Sequence, residues 1–346
     1  MKAFVYRGVG LKAVEERPKP ELQAPGDAIV RLTRTTICKT DLHILKGDVP
    51  TCAPGRVLGH EGIGVVEAVG PAVTRFQPGN HVLISSVTSC GKCDFCRRGM
   101  YSHCESGGWI LGHKIDGTHA EYVRTPHADT SLYAIPSGQN EDALLMLSDV
   151  LPTGFECGVL NGGVEPGSTI AIVGAGPVGL AALLTAQLHS PAEVIMIDVD
   201  DSRLDTALTL GATATVNGSD GKAADTIRKL LTGGRGVDTA IEAAGLPSAF
   251  QLCQEIIAPG GTIACVGGHG TYLDSPLKKL RTGNVTITNR LVDTATTPIL
   301  LKTVESCRID PSSLVTHHFS FDKILDAYET FRHAAETQAL KVVVTM

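Results

Sequence analysis

Short strands with turn-forming residues between them fill the chain up to about residue 150. Examples are the apolar runs at 28–32, 64–69 and 81–84, which are separated by stretches that contain glycine and proline. Strands this short, punctuated this often, are typical of a barrel-like sheet and not of a helical domain. The pattern predicts an irregular β-barrel-like domain in the first part of the chain.

From about residue 168 the pattern changes to buried strands that alternate with helices. Strands are predicted at 169–173, 194–198, 214–216, 237–241 and 262–266, and helices at 177–189, 201–210, 223–231 and 248–256. Alternating β and α units imply a parallel, doubly wound sheet, so the chain is an α/β protein.

The tail of the chain adds one helix at 324–335 and one strand at 341–344. A completed doubly wound sheet has no place for this last strand. We therefore expect it to return to the first domain. A chain of 346 residues is also too long for one ordinary core and suits two domains.

Charge and composition exclude some partners. The chain has 30 basic and 36 acidic residues, a net charge of −6, and no basic run, which argues against nucleic acid and against a membrane surface. No stretch has the length of a secretion signal or a membrane span, so we expect a cytoplasmic protein. Its ten cysteines are then interpreted as metal ligands or reduced thiols before disulfides.

Four of these cysteines, Cys90, Cys93, Cys96 and Cys104, fall within fifteen residues. Four thiolates at about 2.3 Å complete a tetrahedral coordination sphere and leave no room for a substrate. The spacing predicts a structural zinc site. The alternatives are reduced surface thiols, or His103 as a ligand in place of Cys104. The other cysteines are scattered and are interpreted as small buried hydrophobic residues.

Cys38 and His60 would form half of a second zinc site, because a catalytic zinc needs three protein ligands and one open position. Glu61 follows His60, but the second histidine of a metalloprotease helix is absent and glycines replace the helix formers. Taken singly, Cys38 is more often a buried thiol and His60 a hydrogen-bonded core histidine.

A glycine-rich loop stands between the strand at 169–173 and the helix after it. It consists of Gly174, Ala175, Gly176, Pro177, Val178 and Gly179. In this strand–turn–helix context the glycines allow a tight turn, a close approach of pyrophosphate to the backbone, and close helix–strand packing. The helix N-terminus offers free N–H groups and a positive dipole to the phosphates. The loop predicts a Rossmann dinucleotide site.

Asp198 ends the next strand, nineteen residues after Gly179. A carboxylate there accepts hydrogen bonds from the adenosine ribose and repels a 2′-phosphate, which favours NAD over NADP. Arg203 lies close enough in sequence to argue for a phosphate, but it lies a turn into the following helix and is interpreted as a capping or solvated residue. The alternative for Asp198 is a helix cap.

Beyond single residues, the stretch Gly59-His60-Glu61-x2-Gly64-x5-Gly70-x2-Val73 resembles the signature of the zinc-containing alcohol dehydrogenases, the medium-chain dehydrogenase/reductase group. The cysteine upstream and the four-cysteine loop downstream occur in the same order as in that family. The resemblance covers essentially the whole chain. It implies a GroES-like β-barrel catalytic domain at 1–151 and 293–346, a Rossmann NAD-binding domain at 152–292, two zinc ions per chain, and NAD as cofactor.

The resemblance also implies the ligands of the catalytic zinc, Cys38 and His60. In the animal enzymes a third ligand, a cysteine, lies four residues before a Thr-Gly pair that borders the nicotinamide. That pair is Thr153-Gly154 here, and Asp149 holds the ligand position, as aspartate does in several bacterial tetrameric secondary alcohol dehydrogenases. The alternative for Asp149 is a helix-capping carboxylate. Glu61 resembles a carboxylate that approaches the metal while water or substrate leaves.

The expected reaction is hydride transfer between a primary or secondary alcohol, or the corresponding aldehyde or ketone, and NAD. Zinc would lower the pKa of the alcohol, and Thr40 and then His43 would carry its proton towards solvent. Four further positions, Ser86, Val87, Trp109 and His113, resemble residues that line the substrate pocket.

Family members also differ in assembly and substrate. A homotetramer or a homodimer is expected. The first alternative function is a polyol or threonine dehydrogenase of the same family, although polyol enzymes usually have glutamate where this chain has Asp149. The second is a non-catalytic relative that binds zinc or NAD, which would predict decay of the motif residues.

Overall fold

The computed structural model describes residues 1–136, 138–268 and 277–346. Contacts divide the chain into two compact units, Met1–Asp149 with Asp293–Met346, and Val150–Val292. The first unit therefore contains both ends of the chain. Among the described residues, no helix combines the length and the apolar character that are needed to cross a bilayer.

The strands, in chain order, are β1 Lys2–Gly8, β2 Leu11–Glu16, β3 Ala28–Thr36, β4 Gly62–Val69, β5 His81–Ile84, β6 Tyr122–Thr125, β7 Leu132–Ala134, β8 Thr169–Val173, β9 Glu193–Asp198, β10 Ala214–Asn217, β11 Val237–Glu242, β12 Ile257–Cys265, β13 Thr286–Asn289, β14 Val315–Ser320 and β15 Lys341–Thr345.

The α-helices are α1 Lys39–Lys46, α2 Asp94–Arg97, α3 Ala128–Ser131, α4 Glu141–Leu145, α5 Val150–Pro152, α6 Pro177–Ala186, α7 Asp201–Thr209, α8 Ala223–Thr226, α9 Pro247–Ile256, α10 Leu277–Thr282, α11 Thr297–Glu305, α12 Ile324–Arg332 and α13 Ala334–Thr337. Wider π-helical turns form Thr153–Leu160 and Ile227–Leu231, and 3-10 turns form Tyr101–His103, Gln187–His189, Pro311–Leu314 and Phe321–Lys323.

The first unit is built on a sheet with the strand order β14-β15-β3-β4-β5-β7, with β6 also paired to β3. The closing strand β15 pairs antiparallel with β3, with Val343 opposite Thr36, which confirms that the tail returns to the first part of the chain. One core cluster of this unit joins both ends of the chain, since Phe4 stacks on Tyr328 of α12 at 4.2 Å.

The second unit is a six-stranded parallel sheet with the order β10-β9-β8-β11-β12-β13. Numbered within the unit, this order is 3-2-1-4-5-6, the doubly wound order of a Rossmann fold, and it confirms the predicted class. The sheet reverses its winding between β8 and β11, which is the point where such sheets bind dinucleotides.

Some predicted boundaries differ from the observed ones. The helix predicted at 177–189 is α-helical only to Ala186 and continues as a 3-10 turn, because Ser190 takes the left-handed conformation with φ 51°. The helix predicted at 324–335 is divided at His333 into α12 and α13. The strand predicted at 262–266 begins earlier, at Ile257. Turn geometry of this kind is not visible in hydrophobic periodicity.

Gly64 shows how closely β3 and β4 approach each other. A Cβ atom at this position would lie 2.3 Å from the carbonyl oxygen of Arg31 and 2.7 Å from a methyl group of Val30. The pairing also shifts register beside it, between Leu32 and Arg34. Only glycine fits without moving the backbone of β3.

We predict that Gly64→Ala lowers the free energy of unfolding of the first unit by about 1–3 kcal/mol, the usual cost of overpacking. Gly26→Ala is the matched control, because nothing lies within 4 Å of the added methyl group there. Urea unfolding followed by circular dichroism measures both. Equal midpoints for the two variants would contradict the close approach.

Candidate metal and cofactor sites

The four clustered cysteines converge in one loop of the first unit. The sulfur atoms of Cys90, Cys93, Cys96 and Cys104 all lie within 4.8 Å of one another. Ligands about 2.3 Å from a tetrahedral zinc are separated by about 3.8 Å, and the Cys90 and Cys96 sulfurs are 3.9 Å apart. The spacing of the donors therefore fits a closed tetrahedral site.

Backbone amides inside this loop point at the sulfur atoms. The N–H of Cys90 donates to the Cys104 sulfur at 3.2 Å. The N–H of Cys93 donates to the Cys90 sulfur at 3.4 Å, and the N–H of Cys96 donates to the Cys93 sulfur at 3.5 Å. Although burial opposes ionisation, such amides lower the pKa of the Cys90 thiol to about 6. Burial and the neighbouring sulfurs raise the pKa of Cys96 to about 12. Four thiolates together thus require a cation, and the donor set suits zinc.

A second group of donors joins residues that are distant in the chain. The group consists of Cys38, His60, Glu61 and Asp149. Each residue contributes one ligand atom, and these atoms all lie within 4.8 Å of one another. His60 Nε2 is 3.6 Å from Asp149 Oδ2 and 3.9 Å from Glu61 Oε1. Donors about 2.0–2.3 Å from a shared ion have edges of this length. The residues fit a zinc site with one thiolate, one imidazole and one carboxylate.

The electrostatics of this group favour a positive charge at its centre. Burial alone would lower the pKa of His60, but hydrogen bonding to Asp149 and to the Cys38 sulfur raises it well above its ordinary value. Burial would raise the pKa of Asp149, yet its hydrogen bond with His60 and the charges of His60 and Lys341 lower it. The anionic donors are thus stabilised by a cation, which zinc would supply.

Asp41, which was not predicted from the sequence, links the segments that carry Cys38 and His60. Its Oδ2 accepts the N–H of Cys38 at 2.9 Å, and its Oδ1 accepts the N–H of Gly59 at 3.2 Å and lies 3.9 Å from His60 Nδ1. Because it is three residues after Cys38 in the first turn of α1, its side chain points back to the start of that helix. That spacing was the available signal.

Glu61 is paired with Lys341, the second residue that the sequence analysis missed. The two side chains are 0% and 3% exposed, and Lys341 Nζ donates to Glu61 Oε1 at 2.7 Å. Burial raises the pKa of Glu61 to about 7, against the opposing effect of Lys341. Glu61 Oε2 is buried without a hydrogen-bond partner among the described residues. One oxygen, Oε1, is thus anchored 3.9 Å from His60 Nε2, while Oε2 has no hydrogen bond among the described residues.

The proposed proton-relay residues lie at the start of α1. Thr40 Oγ1 is 3.6 Å from the Cys38 sulfur. His43, one turn later, is 30% exposed, and its Nδ1 lies 2.8 Å from Asp48 Oδ2. Thr40 therefore borders the ligand group, while His43 is partly exposed to solvent and lies against the Asp48 carboxylate.

The four predicted pocket residues divide into two pairs. Ser86 and Val87 are buried after β5, and the Ser86 hydroxyl donates to Asp149 Oδ1 at 2.9 Å. The Trp109 and His113 rings stack at 4.3 Å. Both His113 nitrogens have partners, Thr51 Oγ1 at 2.7 Å and the Trp109 carbonyl at 3.2 Å. Ser86 thus contacts a ligand residue, while the pocket role of the four residues stays a prediction.

The glycine loop of the second unit lies at the carboxyl end of β8, and Gly176 caps α6. A Cβ at Gly179 would lie 1.8 Å from the carbonyl oxygen of Gly174, so helix and loop approach as the dinucleotide motif requires. Pro177 and Val178 begin α6, and the N-terminal end of a helix carries a positive dipole that favours an anion such as a phosphate.

Asp198 lies beside this loop at the end of β9. Its Oδ2 accepts the N–H of Ala175 at 2.6 Å, and its Oδ1 accepts the N–H groups of Val199 and Asp200. The helix cap of α7 is Asp200, which accepts from Ser202 N, and not Asp198. Asp198 therefore ties the glycine loop to the end of β9, and its predicted contact with a ribose stays a prediction.

Two other predicted cofactor residues belong to the same unit. Arg203 Nε lies 3.7 Å from Asp200 Oδ2, one turn into α7. Thr153 begins the π-helical segment, and the next residue, Gly154, packs against the backbone of Ala182 in α6. Arg203 is thus paired with an acidic residue of its own helix, as expected for a solvated or capping side chain.

Known proteins with the same sequence pattern agree with this arrangement. Residues 24–137 match the alcohol dehydrogenase GroES-like domain family, and residues 177–306 match the zinc-binding dehydrogenase family. An alcohol dehydrogenase of Cupriavidus necator is 35% identical over 96% of this chain and 95% of its own length. An NADP-dependent isopropanol dehydrogenase of Thermoanaerobacter brockii is 35% identical over 95% of each chain.

A solved structure extends this similarity to the whole fold. The apo form of zinc-dependent alcohol dehydrogenase 2 from Streptococcus pneumonia superposes with a TM-score of 0.96 and 54% identity, covering 100% of this chain and 98% of that one. The chain belongs to the zinc-containing alcohol dehydrogenases of the medium-chain dehydrogenase/reductase family. It is an oxidoreductase with a GroES-like domain and a Rossmann domain.

We predict that Lys341→Met lowers the free energy of unfolding by about 3–5 kcal/mol, because it leaves the Glu61 carboxylate buried without its cation. The double variant Glu61→Gln with Lys341→Met should recover a large part of this loss. Urea unfolding measures both.

Lys2→Met is the control for this prediction, because Lys2 pairs with Asp322 on an exposed surface and should change the midpoint little. Additive effects of the two buried substitutions would contradict the pairing.

Proposed function

We propose that the protein is an NAD-linked, zinc-dependent dehydrogenase that interconverts a primary or secondary alcohol and its aldehyde or ketone. The observation that carries the proposal is the convergence of Cys38, His60 and Asp149, whose donor atoms lie within 4.8 Å although the residues are distant in the chain. Three protein ligands leave one position of a tetrahedral zinc for a substrate oxygen.

The proposal assigns two zinc ions to the chain. Cys38, His60 and Asp149 would hold the catalytic ion, and Cys90, Cys93, Cys96 and Cys104 the structural one. When bound, the catalytic zinc polarises the oxygen of the substrate and the nicotinamide accepts or returns the hydride. The thiolate and the carboxylate of the catalytic set together balance the charge of a divalent ion.

Residues of the chain itself would move the proton and adjust the ligand group. Thr40 Oγ1, 3.6 Å from the Cys38 sulfur, is placed to accept a proton close to the substrate oxygen. His43, paired with Asp48, would pass it to solvent. Glu61, with one oxygen anchored by Lys341, would keep its other oxygen available to the ligand group during exchange.

NAD is the proposed cofactor because Asp198, at the end of β9 beside the glycine loop, would lie next to the adenosine ribose. Its carboxylate would accept from the ribose hydroxyls and repel a 2′-phosphate, and the nearby Arg203 is engaged with Asp200. The family contains the opposite preference too, since the relative from Thermoanaerobacter brockii is NADP-dependent by name. The cofactor therefore has to be measured directly.

Two further properties belong to the same proposal. The protein would act as a homotetramer or homodimer in the cytoplasm, where reduced thiols are maintained. None of its ten cysteines, all within the described residues, forms a disulfide. Residues 1–151 with 293–346 and residues 152–292 would form its catalytic and cofactor domains.

The direct test of the function is turnover. Primary, secondary and aromatic alcohols should be offered with NAD and the formation of NADH followed by absorbance. Turnover that a zinc chelator abolishes supports the proposal. The absence of turnover with every alcohol, aldehyde and ketone, in protein that holds both zinc ions and binds NADH, would overturn it.

We predict that the purified protein holds two zinc ions and that Asp149→Ala retains one and loses turnover. The substitution removes one carboxylate from the catalytic set but leaves the four thiolates of the structural set intact. Metal analysis by mass spectrometry measures the content. Asp326→Ala, an exposed carboxylate on α12, is the control and should keep both ions. A fully active Asp149→Ala protein with two zinc ions would place the third ligand elsewhere.

We predict that Asp198→Ala weakens binding of NADH more than binding of NADPH. The ribose loses its acceptor, and the N–H of Ala175 loses the oxygen that holds it, so neither cofactor should bind tightly. Fluorescence titration gives both dissociation constants. Asp205→Ala, on the exposed face of α7, should leave both unchanged. An unaltered ratio in Asp198→Ala would remove the residue from cofactor selection.

A further inference from the structure

Asp149 is held by a serine side chain that the resemblance to the family places in the substrate pocket. Ser86 is 2% exposed, and its Oγ donates to Asp149 Oδ1 at 2.9 Å. The other carboxylate oxygen, Oδ2, is 3.6 Å from His60 Nε2. The hydrogen bond thus distinguishes the two oxygens, since one is bound to the serine and the other faces the ligand group.

Further hydrogen bonds link the segments that contain Ser86 and Asp149. The N–H of Ser86 donates to the carbonyl oxygen of Ser148 at 3.0 Å. The Ser148 hydroxyl in turn donates to the Ile84 carbonyl at the end of β5 and accepts the N–H of Gly62 at 3.3 Å. Ser148, the residue before Asp149, is therefore bonded to the end of β5, two residues before Ser86, and to the start of β4, two residues after His60.

We propose that Ser86 is a positioning residue for the metal ligand Asp149, and that its hydroxyl directs Oδ2 towards the zinc position. This inference rests on the proposed function of the Cys38, His60 and Asp149 group. It gives Ser86 a role in metal retention instead of a role limited to the shape of the pocket.

The physical reason is the freedom of a carboxylate about its last side-chain bond. The terminal torsion of aspartate is broad and nearly two-fold, so packing alone does not choose which oxygen faces the metal. A hydroxyl donor at 2.9 Å, from a serine that is itself buried, holds one oxygen of this half-buried carboxylate. Partners of this kind orient metal ligands, and their loss costs about 10- to 100-fold in metal affinity or activity.

The neighbouring carboxylate also has an anchor, the ammonium group of Lys341. It anchors Oε1 of Glu61 at 2.7 Å, as Ser86 anchors Oδ1 of Asp149. Each acidic residue of the group thus has one oxygen fixed by a donor from another part of the chain. The two carboxylates differ in what they present to His60, because Glu61 approaches it with the anchored oxygen and Asp149 with the other one.

The neighbouring residue Ser85 provides a matched control. It is 1% exposed, and its hydroxyl hydrogen-bonds Thr294 Oγ1 at 2.7 Å instead of a metal ligand. Ser85→Ala and Ser86→Ala therefore remove the same group from adjacent, equally buried positions. Ser86→Thr keeps the hydroxyl and tests whether that group alone is responsible.

The experiment measures zinc release from the folded protein into a chromogenic chelator, without substrate or cofactor. Wild-type protein should release its two ions in two phases, and Asp149→Ala identifies which phase belongs to the catalytic ion. Ser86→Ala should accelerate that phase about 10- to 100-fold and leave the other unchanged. Ser85→Ala should match the wild type, and Ser86→Thr should restore slow release.

Cobalt substitution gives a second readout, because the visible spectrum of Co²⁺ reports the geometry of its ligands. Ser86→Ala should change the spectrum of the catalytic ion, while Ser85→Ala should not. Circular dichroism must show the wild-type fold in each variant that is compared.

Two results would overturn the proposal, and they are distinguishable. If Ser86→Ala releases the catalytic zinc as slowly as Ser85→Ala and keeps the wild-type cobalt spectrum, Ser86 does not position Asp149, while the proposed function stands. If wild-type protein binds only the ion of the four cysteines, the catalytic site itself is absent and the proposed function fails with the inference.

Discussion

The buried pair of Glu61 and Lys341 is the interaction on which the ligand group depends. Both side chains lie in the interior of the first unit, where an unpaired charge would cost several kcal/mol. The lysine comes from the strand that closes the chain, and the glutamate precedes a central strand of the same sheet. Because the pair forms only when the tail has returned to this sheet, completion of the fold and assembly of the ligand group are linked.

The anionic donors of the ligand group, which are buried or half-buried, need orientation in addition to charge balance. Asp41 connects the segments that carry Cys38 and His60, and Ser86 connects β5 with Asp149. Each contact is a single hydrogen bond, worth about 1 kcal/mol of stability in general. Their value to the site is greater than this, since a ligand that rotates away from the ion loses most of its bond energy.

Much of the chemistry was predictable because it depends on local spacing. The four cysteines lie in one loop, and the glycine motif joins one strand to one helix, so neither requires knowledge of the rest of the fold. The doubly wound order and the return of the last strand also follow from the alternation of elements. The divided helix at His333 could not be predicted in this way, because backbone turns leave no mark on hydrophobic periodicity.

The amino-acid sequence by itself therefore determined the class of fold, the family, and the identity of the donors that approach each proposed ion. Tertiary structure alone decided their partners: Lys341, 280 positions from Glu61, and Ser86, 63 positions from Asp149. The physical reason is the separation along the chain over which each feature is formed. Metal-ligand and glycine motifs are recognisable over a few residues, whereas a buried hydrogen bond or ion pair exists only after the sheet has brought distant segments together and excluded water from between them.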